Sequence, residues 1–155
     1  FYGTNIYYSQ GGEEITGEYP LNRYQGSPES QMVWAITPEV MYWSSKFLFE
    51  RYGKPIMITE NGMAEHDWTC LDGKVHDTYR IDYTHRYLRE FRRAAEDGIP
   101  LAGYFHWSLM DNYEWAEGYT QRFGLVYVDY DTLKRTIKDS GYWYRDVIAS
   151  NGDNL

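Results

Sequence analysis

The sequence predicts an α/β fold made of repeated βα units, and three observations favour that class. Short apolar runs such as Pro55–Thr59 are typical of strands buried on both faces. Each predicted strand is followed by a helical segment. The loops from strand to helix are long, whereas those from helix to strand are short. The 155 residues hold three such units, while a closed eightfold βα barrel takes roughly 250 residues, so we expect this chain to be part of a larger structure.

The first unit begins with a short aromatic strand at Phe1–Tyr8. A polar loop rich in glycine and proline follows from Ser9 to Thr37, and its length favours a functional role over a plain connection. Thr37 and Pro38 are typical of a helix start, since a hydroxyl at the N-cap precedes a proline at the first helical position. We expect this helix to end at Tyr52, because a glycine follows it.

The second and third units contain the same signals. Glu60, Asn61 and Gly62 are predicted to end the second strand in a turn, and Asp77 is predicted to cap the next helix. The elements are, in chain order, the strand Pro55–Thr59, the helix Thr78–Asp97, the strand Pro100–Ser108, an extended segment Leu125–Tyr130, a turn at Asp131–Thr132 and the helix Ser140–Ala149.

Composition excludes several classes of function. With 15 basic and 23 acidic side chains the formal net charge is −8, which argues against a nucleic-acid-binding protein. No run approaches the roughly 18 consecutive apolar residues of a membrane span, and we expect no signal peptide in the first residues. Cys70 is the one cysteine, so neither an internal disulfide nor a four-cysteine zinc site is expected. The single cysteine and the lack of glycosylation sequons favour a cytoplasmic location.

The aromatic content is high: 17 Tyr, 6 Trp and 6 Phe make up 19% of the chain. Tyrosine and tryptophan suit surfaces that are apolar on one side and hydrogen-bonding on the other. Sugars present such a surface, with apolar C–H faces rimmed by hydroxyls. Composition alone leaves two interpretations open, a carbohydrate-binding protein and an ordinary aromatic core.

Three motifs carry candidate chemistry. Glu60 is expected at the carboxyl end of a buried strand, where βα barrels build their active sites, and a carboxylate there can act as a nucleophile on a sugar. Trp107 lies at the end of the next strand, and Glu114 and Trp115 lie in the loop that follows it. Asn5 and Tyr7 lie at the end of the first strand. An indole face stacks on a pyranose ring, while an indole N–H and a carboxylate hold hydroxyls. Taken singly, each motif is also compatible with core packing or a solvated surface.

Five stretches are distributed along the chain from residue 1 to residue 130: Phe1–Tyr8, Thr59–Gly62, Leu71–Tyr83, Gly103–Trp115 and Arg122–Tyr130. Their sequences resemble family 1 of the glycoside hydrolases, the retaining β-glucosidases and their relatives. The resemblance implies a (β/α)8 TIM barrel of which this chain is the last three βα units. Residues 1–155 would then be the C-terminal portion of a single barrel domain.

The resemblance also implies roles for individual residues. Glu60 would be the catalytic nucleophile, and Tyr7 would hydrogen-bond its carboxylate. The implied substrate-binding residues are Asn5 and Trp107 at the sugar, Glu114 and Trp115 at its distal hydroxyls, and Trp34 and Phe123 on the aglycone side. No metal or other cofactor is implied, and the histidines lack metal-ligand spacing.

One catalytic group of the family has no counterpart in this sequence. The family's acid/base is a glutamate in a Thr-x-Asn-Glu-Pro segment, which does not occur here. A retaining mechanism needs two carboxyl groups about 5–5.5 Å apart. We therefore expect the isolated chain to be nearly inactive, and we expect the rest of the barrel, in the same protein or a complementary chain, to supply the acid/base.

The leading interpretation is a β-glycosidase acting on β-linked glucosides or galactosides. A 6-phospho-β-glycosidase is an alternative, although the carboxylate of Glu114 would repel a phosphate. A non-catalytic sugar-binding or structural fragment is the alternative from another class. A thioglucosidase, in which the acid/base is replaced, would look the same over these residues.

Overall fold

The computed structural model describes residues 1–9 and 28–155, so most of the loop predicted between Ser9 and Thr37 lies outside the described residues. The helices are α1 (Val40–Tyr52), α2 (Thr78–Glu96) and α3 (Asp139–Ala149). The strands are β1 (Tyr2–Asn5), β2 (Ile56–Asn61), β3 (Leu101–His106), β4 (Val126–Val128) and β5 (Arg135–Ile137), with one 3-10 turn at Trp115–Glu117.

The first three strands form a parallel sheet in the order β1-β2-β3. Parallel neighbours need crossover connections, and α1 and α2 supply them. Ile56 and Ile58 of the central strand are fully buried, because α1 and α2 pack beside the sheet and against each other. The predicted alternation of strand and helix is therefore confirmed for the described residues.

Helix α1 begins later than predicted. The structure starts it at Val40, and Thr37 does not act as its cap. The Thr37 hydroxyl oxygen instead accepts a hydrogen bond from the backbone N–H of Ser9, 2.8 Å away, which ties the start of the helix to the end of the first strand segment. The predicted end is confirmed: Gly53 is left-handed at φ 61°, and its N–H donates to the Phe49 carbonyl.

Asp77 stands at the N-cap of α2 but makes no capping bond. Its carboxylate accepts hydrogen bonds from Arg80 and from the backbone N–H of Ser140 instead. The predicted cap is thus wrong, because a buried cation and the start of α3 compete successfully for the same oxygens. Asp77 consequently joins α2 to α3.

A buried ion-pair network holds the loops around the sheet. Arg80 pairs with Asp67 and Asp77, and Lys138 pairs with Asp67 at 2.6 Å and Asp111 at 2.8 Å. Both cations are fully buried. Burial of charge is tolerated only with such partners. The network therefore fixes the loop after β2, the loop after β3 and the start of α3 relative to one another.

The second strand extends further than predicted, and the predicted turn is wrong. Glu60 and Asn61 belong to β2, and Asn61 is fully buried. Gly62 follows where the chain passes against Trp107: a Cβ at this glycine would lie 1.8 Å from the Trp107 carbonyl oxygen. Glycine is needed here for close backbone approach, not for a turn. The strand β5 was also not predicted, since it has three residues and pairs with β4 alone.

The Gly62→Ala substitution should be strongly destabilising, because its Cβ would overlap backbone and not a movable side chain. We expect a loss of at least about 2 kcal/mol in the free energy of unfolding, measured with urea. Gly103→Ala is the matched control on β3, where a Cβ would meet only Met57 Cε at an ordinary 3.6 Å. Equal stability of the two variants would contradict the close approach.

His76 should make stability depend on pH. Its ring bonds Asp139 at 2.6 Å and Asp72 at 3.0 Å, and these hydrogen bonds raise the pKa of His76. A raised pKa means that the protonated form stabilises the fold below the ordinary pKa near 6.5, and that this stabilisation is lost as the pH rises through the raised value. We expect the difference in unfolding free energy between the parent and His76→Gln to shrink from pH 5.5 to 8.5. A difference in unfolding free energy that stays constant over this pH range would contradict a stabilising interaction of protonated His76 with Asp72 and Asp139.

Candidate active site

The carboxyl ends of the three parallel strands meet at one edge of the sheet. Asn5 of β1 pairs with Glu60 of β2, and Asn61 pairs with His106 of β3. The Thr59 hydroxyl donates to Asn5 Oδ1 at 2.7 Å, which orients the Asn5 side chain. Asn5 and Glu60 therefore lie side by side at this edge, and Trp107 follows immediately after β3.

Tyr7 and Glu60 are in direct contact. The Tyr7 hydroxyl donates to Glu60 Oε2 at 2.9 Å, although the residues are 53 positions apart. Burial raises the pKa of Tyr7 well above its ordinary value, and the hydrogen bond with Glu60 and the charges of Glu60 and Glu114 raise it further. The phenol therefore stays neutral and remains a donor to the carboxylate.

Glu114 follows Trp107 in the loop at the same edge. Burial raises the pKa of Glu114, and the charges of Glu60 and Glu117 raise it further, whereas the interaction with the Trp107 indole, a donor only, lowers it. The negative charges of Glu60 and Glu114 therefore repel each other. Trp115 begins the 3-10 turn and leaves 81% of its surface exposed.

Trp34 and Phe123 surround the Tyr7 ring. The Trp34 ring lies 5.2 Å from Tyr7 edge to face, and stacks on Tyr8 at 5.5 Å. Phe123 lies 6.0 Å from Trp34 and 6.4 Å from Tyr7. Because Phe123 is only 2% exposed, it packs behind these rings and presents little surface of its own. The structure therefore brings Trp34, Tyr7 and Phe123 together beside Glu60.

Asp111 was not singled out from the sequence, yet it shapes the loop between β3 and β4. Its buried carboxylate accepts hydrogen bonds from the backbone N–H of Gly124 and from the side chains of Arg122 and Lys138. These bonds fix the loop that carries Glu114 and Trp115. An acid within an aromatic run was the available signal, but its cationic partners lie 11 and 27 residues away in the chain.

Two of the histidines lie in the core and on a helix. His106 ends β3, and burial together with the charges of Arg80 and Lys138 lowers its pKa to about 3, so it is neutral. His85 lies on α2 with its ring 6.1 Å from that of Trp143. Within residues 1–9 and 28–155, no three His, Cys, Asp or Glu side chains are grouped to hold a metal ion. None of the helices in that part of the chain is long and apolar enough to cross a membrane.

The arrangement has the parts needed for nucleophilic chemistry on a sugar. A carboxylate at the end of a parallel strand is held by a neutral phenol, and an indole and a second carboxylate follow the neighbouring strand at the same edge. Carboxylates form covalent intermediates with glycosides. A retaining mechanism also needs a carboxylic acid that protonates the leaving group, and the described residues place no such acid opposite Glu60.

Comparisons with known proteins point to one family. The sequence profile of glycosyl hydrolase family 1 matches residues 5–153. A 1,4-beta-D-glucan glucohydrolase of Thermotoga neapolitana is 56% identical over 81% of this chain, and beta-glucosidase A of Thermotoga maritima is 53% identical over 81%. The chain spans 28% of the length of each of these relatives.

Solved structures of the same family also match this chain. The family 1 β-glucosidase from Thermotoga maritima matches with a TM-score of 0.82 at 50% identity, covering 84% of this chain and 30% of that one. The same enzyme in complex with glucoimidazole matches with a TM-score of 0.81. These neighbours are TIM barrels, which confirms the predicted fold class of a partial (β/α)8 barrel. The chain belongs to glycosyl hydrolase family 1.

Proposed function

We propose that the protein of which this chain is a part is a retaining β-glycosidase, with Glu60 as its nucleophile. The observation that carries the proposal is the Tyr7–Glu60 hydrogen bond of 2.9 Å at the carboxyl edge of the sheet. The phenol stabilises the carboxylate and aims one of its oxygens. The names of the relatives, β-glucosidases and a glucan glucohydrolase, favour β-linked glucosides as substrates.

The first step joins Glu60 to the sugar. A Glu60 carboxylate oxygen attacks the anomeric carbon, the bond from that carbon to the glycosidic oxygen breaks, and an acid outside this chain gives a proton to the leaving oxygen. In the second step the conjugate base of that external acid takes a proton from water. The water oxygen attacks the anomeric carbon, and Glu60 leaves as a carboxylate. Two inversions give overall retention.

The sugar is held by the groups around Glu60. Trp107 supplies an aromatic face for the pyranose, and Glu114 in the following loop accepts hydrogen bonds from distal hydroxyls. Trp115 is exposed and available to the same hydroxyls, while Asn5 lies beside the nucleophile. Trp34, next to Tyr7, lines the leaving-group side. No metal or cofactor is required by these steps.

We also propose that residues 1–155 are the C-terminal portion of one barrel domain, completed by the rest of the protein. Within the described residues, the outer edges of β1 and β3 pair with no further strand. A groove lined by Thr4–Tyr8 and by Val40, Ser44, Phe47 and Leu48 separates β1 from α1, and Phe47 is 60% exposed. A preceding βα unit fits this surface. Loss of the acid/base would cost roughly 10²–10⁴-fold in rate, so the isolated chain should be nearly inactive.

The nucleophile can be identified by trapping. When the protein with the complete barrel reacts with a 2-deoxy-2-fluoro-β-glucoside bearing dinitrophenolate, we expect one added sugar on the peptide that contains Glu60, measured by mass spectrometry. The fluorine slows the second step, so the ester accumulates. A label on another residue of an active protein would overturn the assignment. Absence of both label and turnover would favour the sugar-binding fragment.

Glu60→Gln should abolish hydrolysis without abolishing binding, because the amide keeps the shape of the side chain but is a poor nucleophile. We expect kcat to fall at least about 10⁴-fold, while the Kd of phenyl β-thioglucoside, a ligand cleaved poorly, changes less than tenfold. Glu50→Gln, an exposed carboxylate on α1, is the matched control and should leave both unchanged. Equal kcat values for the two variants would contradict the role of Glu60.

The charge of Glu114 should exclude phosphorylated sugars. We expect kcat/KM for p-nitrophenyl β-glucoside to exceed that for its 6-phosphate by at least about 100-fold, since like charges brought together in a site cost several kcal/mol. Glu114→Gln should lower this ratio of the two kcat/KM values, because it removes the negative charge. A parent protein that prefers the 6-phosphate would instead support the 6-phospho-β-glycosidase alternative.

A further inference from the structure

A chain of buried hydroxyl and amide groups lies beneath the Tyr7–Glu60 contact. The ladder between β1 and β2 ends at the pair Asn5 and Glu60, with one further bond from the Ile6 N–H to the Glu60 carbonyl. Tyr7 therefore lies beyond the sheet, and its backbone needs other partners to be fixed in place.

Two tyrosines of α2 provide those partners. The Tyr87 hydroxyl donates to the Tyr7 carbonyl at 2.9 Å, and the Tyr83 hydroxyl donates to the same oxygen at 3.1 Å. The two rings stack with centroids 4.0 Å apart, and both residues are almost fully buried. Each phenol is itself oriented from behind, because the Thr37 N–H donates to Tyr87 and Asn61 Nδ2 donates to Tyr83.

Asn61 connects this pair of tyrosines to the strand of the nucleophile. Its amide nitrogen donates to the Ile6 carbonyl at 2.9 Å and to the Tyr83 hydroxyl at 3.0 Å, and its Oδ1 accepts from the Tyr104 hydroxyl of β3 at 2.7 Å. One fully buried side chain next to Glu60 thus bonds to groups from three other parts of the fold. Both hydrogens of its amide are used, so its orientation is determined.

We propose that Tyr83 and Tyr87, together with Asn61, are positioning residues for the nucleophile: by fixing the Tyr7 carbonyl they hold the Tyr7 phenol on Glu60. All three side chains are almost fully buried, so they act on the nucleophile through Tyr7 and do not contact the sugar. Burial raises the pKa of Tyr83 and of Tyr87, so both remain neutral donors. This inference rests on the proposed function of Glu60 and adds the α2 helix to the apparatus that aims it.

A double-mutant cycle in the protein with the complete barrel tests this coupling. Tyr83→Phe/Tyr87→Phe removes both donors to the Tyr7 carbonyl while keeping the stacked rings. We expect the rate constant for labelling of Glu60 by the 2-fluoro glucoside to fall roughly ten- to a hundredfold, while the Kd of phenyl β-thioglucoside changes less than twofold. In a Tyr7→Phe background the same pair of changes should lower the labelling rate less than about threefold, because the phenol they position is gone.

Tyr42→Phe is the matched control. Tyr42 is also a buried tyrosine, but its hydroxyl donates to Asp97 Oδ2 at 2.6 Å and takes no part in the contacts of Tyr7. It should lower stability without slowing the labelling of Glu60. If the double variant does not fold, Tyr87→Phe alone enters the same cycle with a smaller expected loss.

Three results would overturn the proposal: an unchanged labelling rate, an equal loss in the Tyr7 and Tyr7→Phe backgrounds, or a loss equal to that of Tyr42→Phe. Failure of the underlying function is distinguishable, since the unsubstituted protein would then carry no label on Glu60. A labelled parent with unaffected variants removes the positioning role alone.

Discussion

The close approach of the chain at Gly62 to the backbone of Trp107 is the constraint on which the rest of the site depends. The Trp107 N–H donates to the Asn61 carbonyl at 2.8 Å, and a Cβ at Gly62 would lie 1.8 Å from the Trp107 oxygen. The absence of one side chain therefore lets the ends of β2 and β3 converge. Convergence brings the end of β2, with Glu60, beside the backbone of Trp107, and the charge of Glu60 is close enough to Glu114 to raise its pKa.

The high tyrosine content serves two purposes at this edge of the sheet. Tyr7 faces the carboxylate, whereas Tyr83, Tyr87 and Tyr104 direct their hydroxyls to backbone and amide groups beneath it. A phenol fills apolar volume and still satisfies a buried carbonyl, which phenylalanine cannot do. The surrounding loops are fixed differently, by the buried ion pairs of Lys138. Rigid support of both kinds suits a site whose groups must be preorganised.

Much of the fold was predictable because local signals and tertiary structure agree. The βα alternation, the end of α1 at Gly53 and the position of Glu60 at the end of a buried strand all follow from short patterns. Three of the errors share one cause, which is a partner far away in the chain. Thr37 bonds Ser9 instead of capping its helix, and Asp77 bonds Ser140, 63 residues away. Asn61 has the local signature of a turn residue, but it is a buried strand residue that bonds Tyr83 and Tyr104, 22 and 43 positions away.

In the proposed mechanism Glu60, held by Tyr7, forms a covalent bond to a sugar that lies beside Trp107 and Glu114. A crystal structure of the complete protein trapped with a 2-fluoroglucosyl group would show this bond. We expect continuous electron density from a Glu60 carboxylate oxygen to the anomeric carbon, with the Tyr7 hydroxyl still bonded to that carboxylate and the Trp107 ring against the sugar. A sugar bonded to another residue, or bound away from this edge of the sheet, would contradict it.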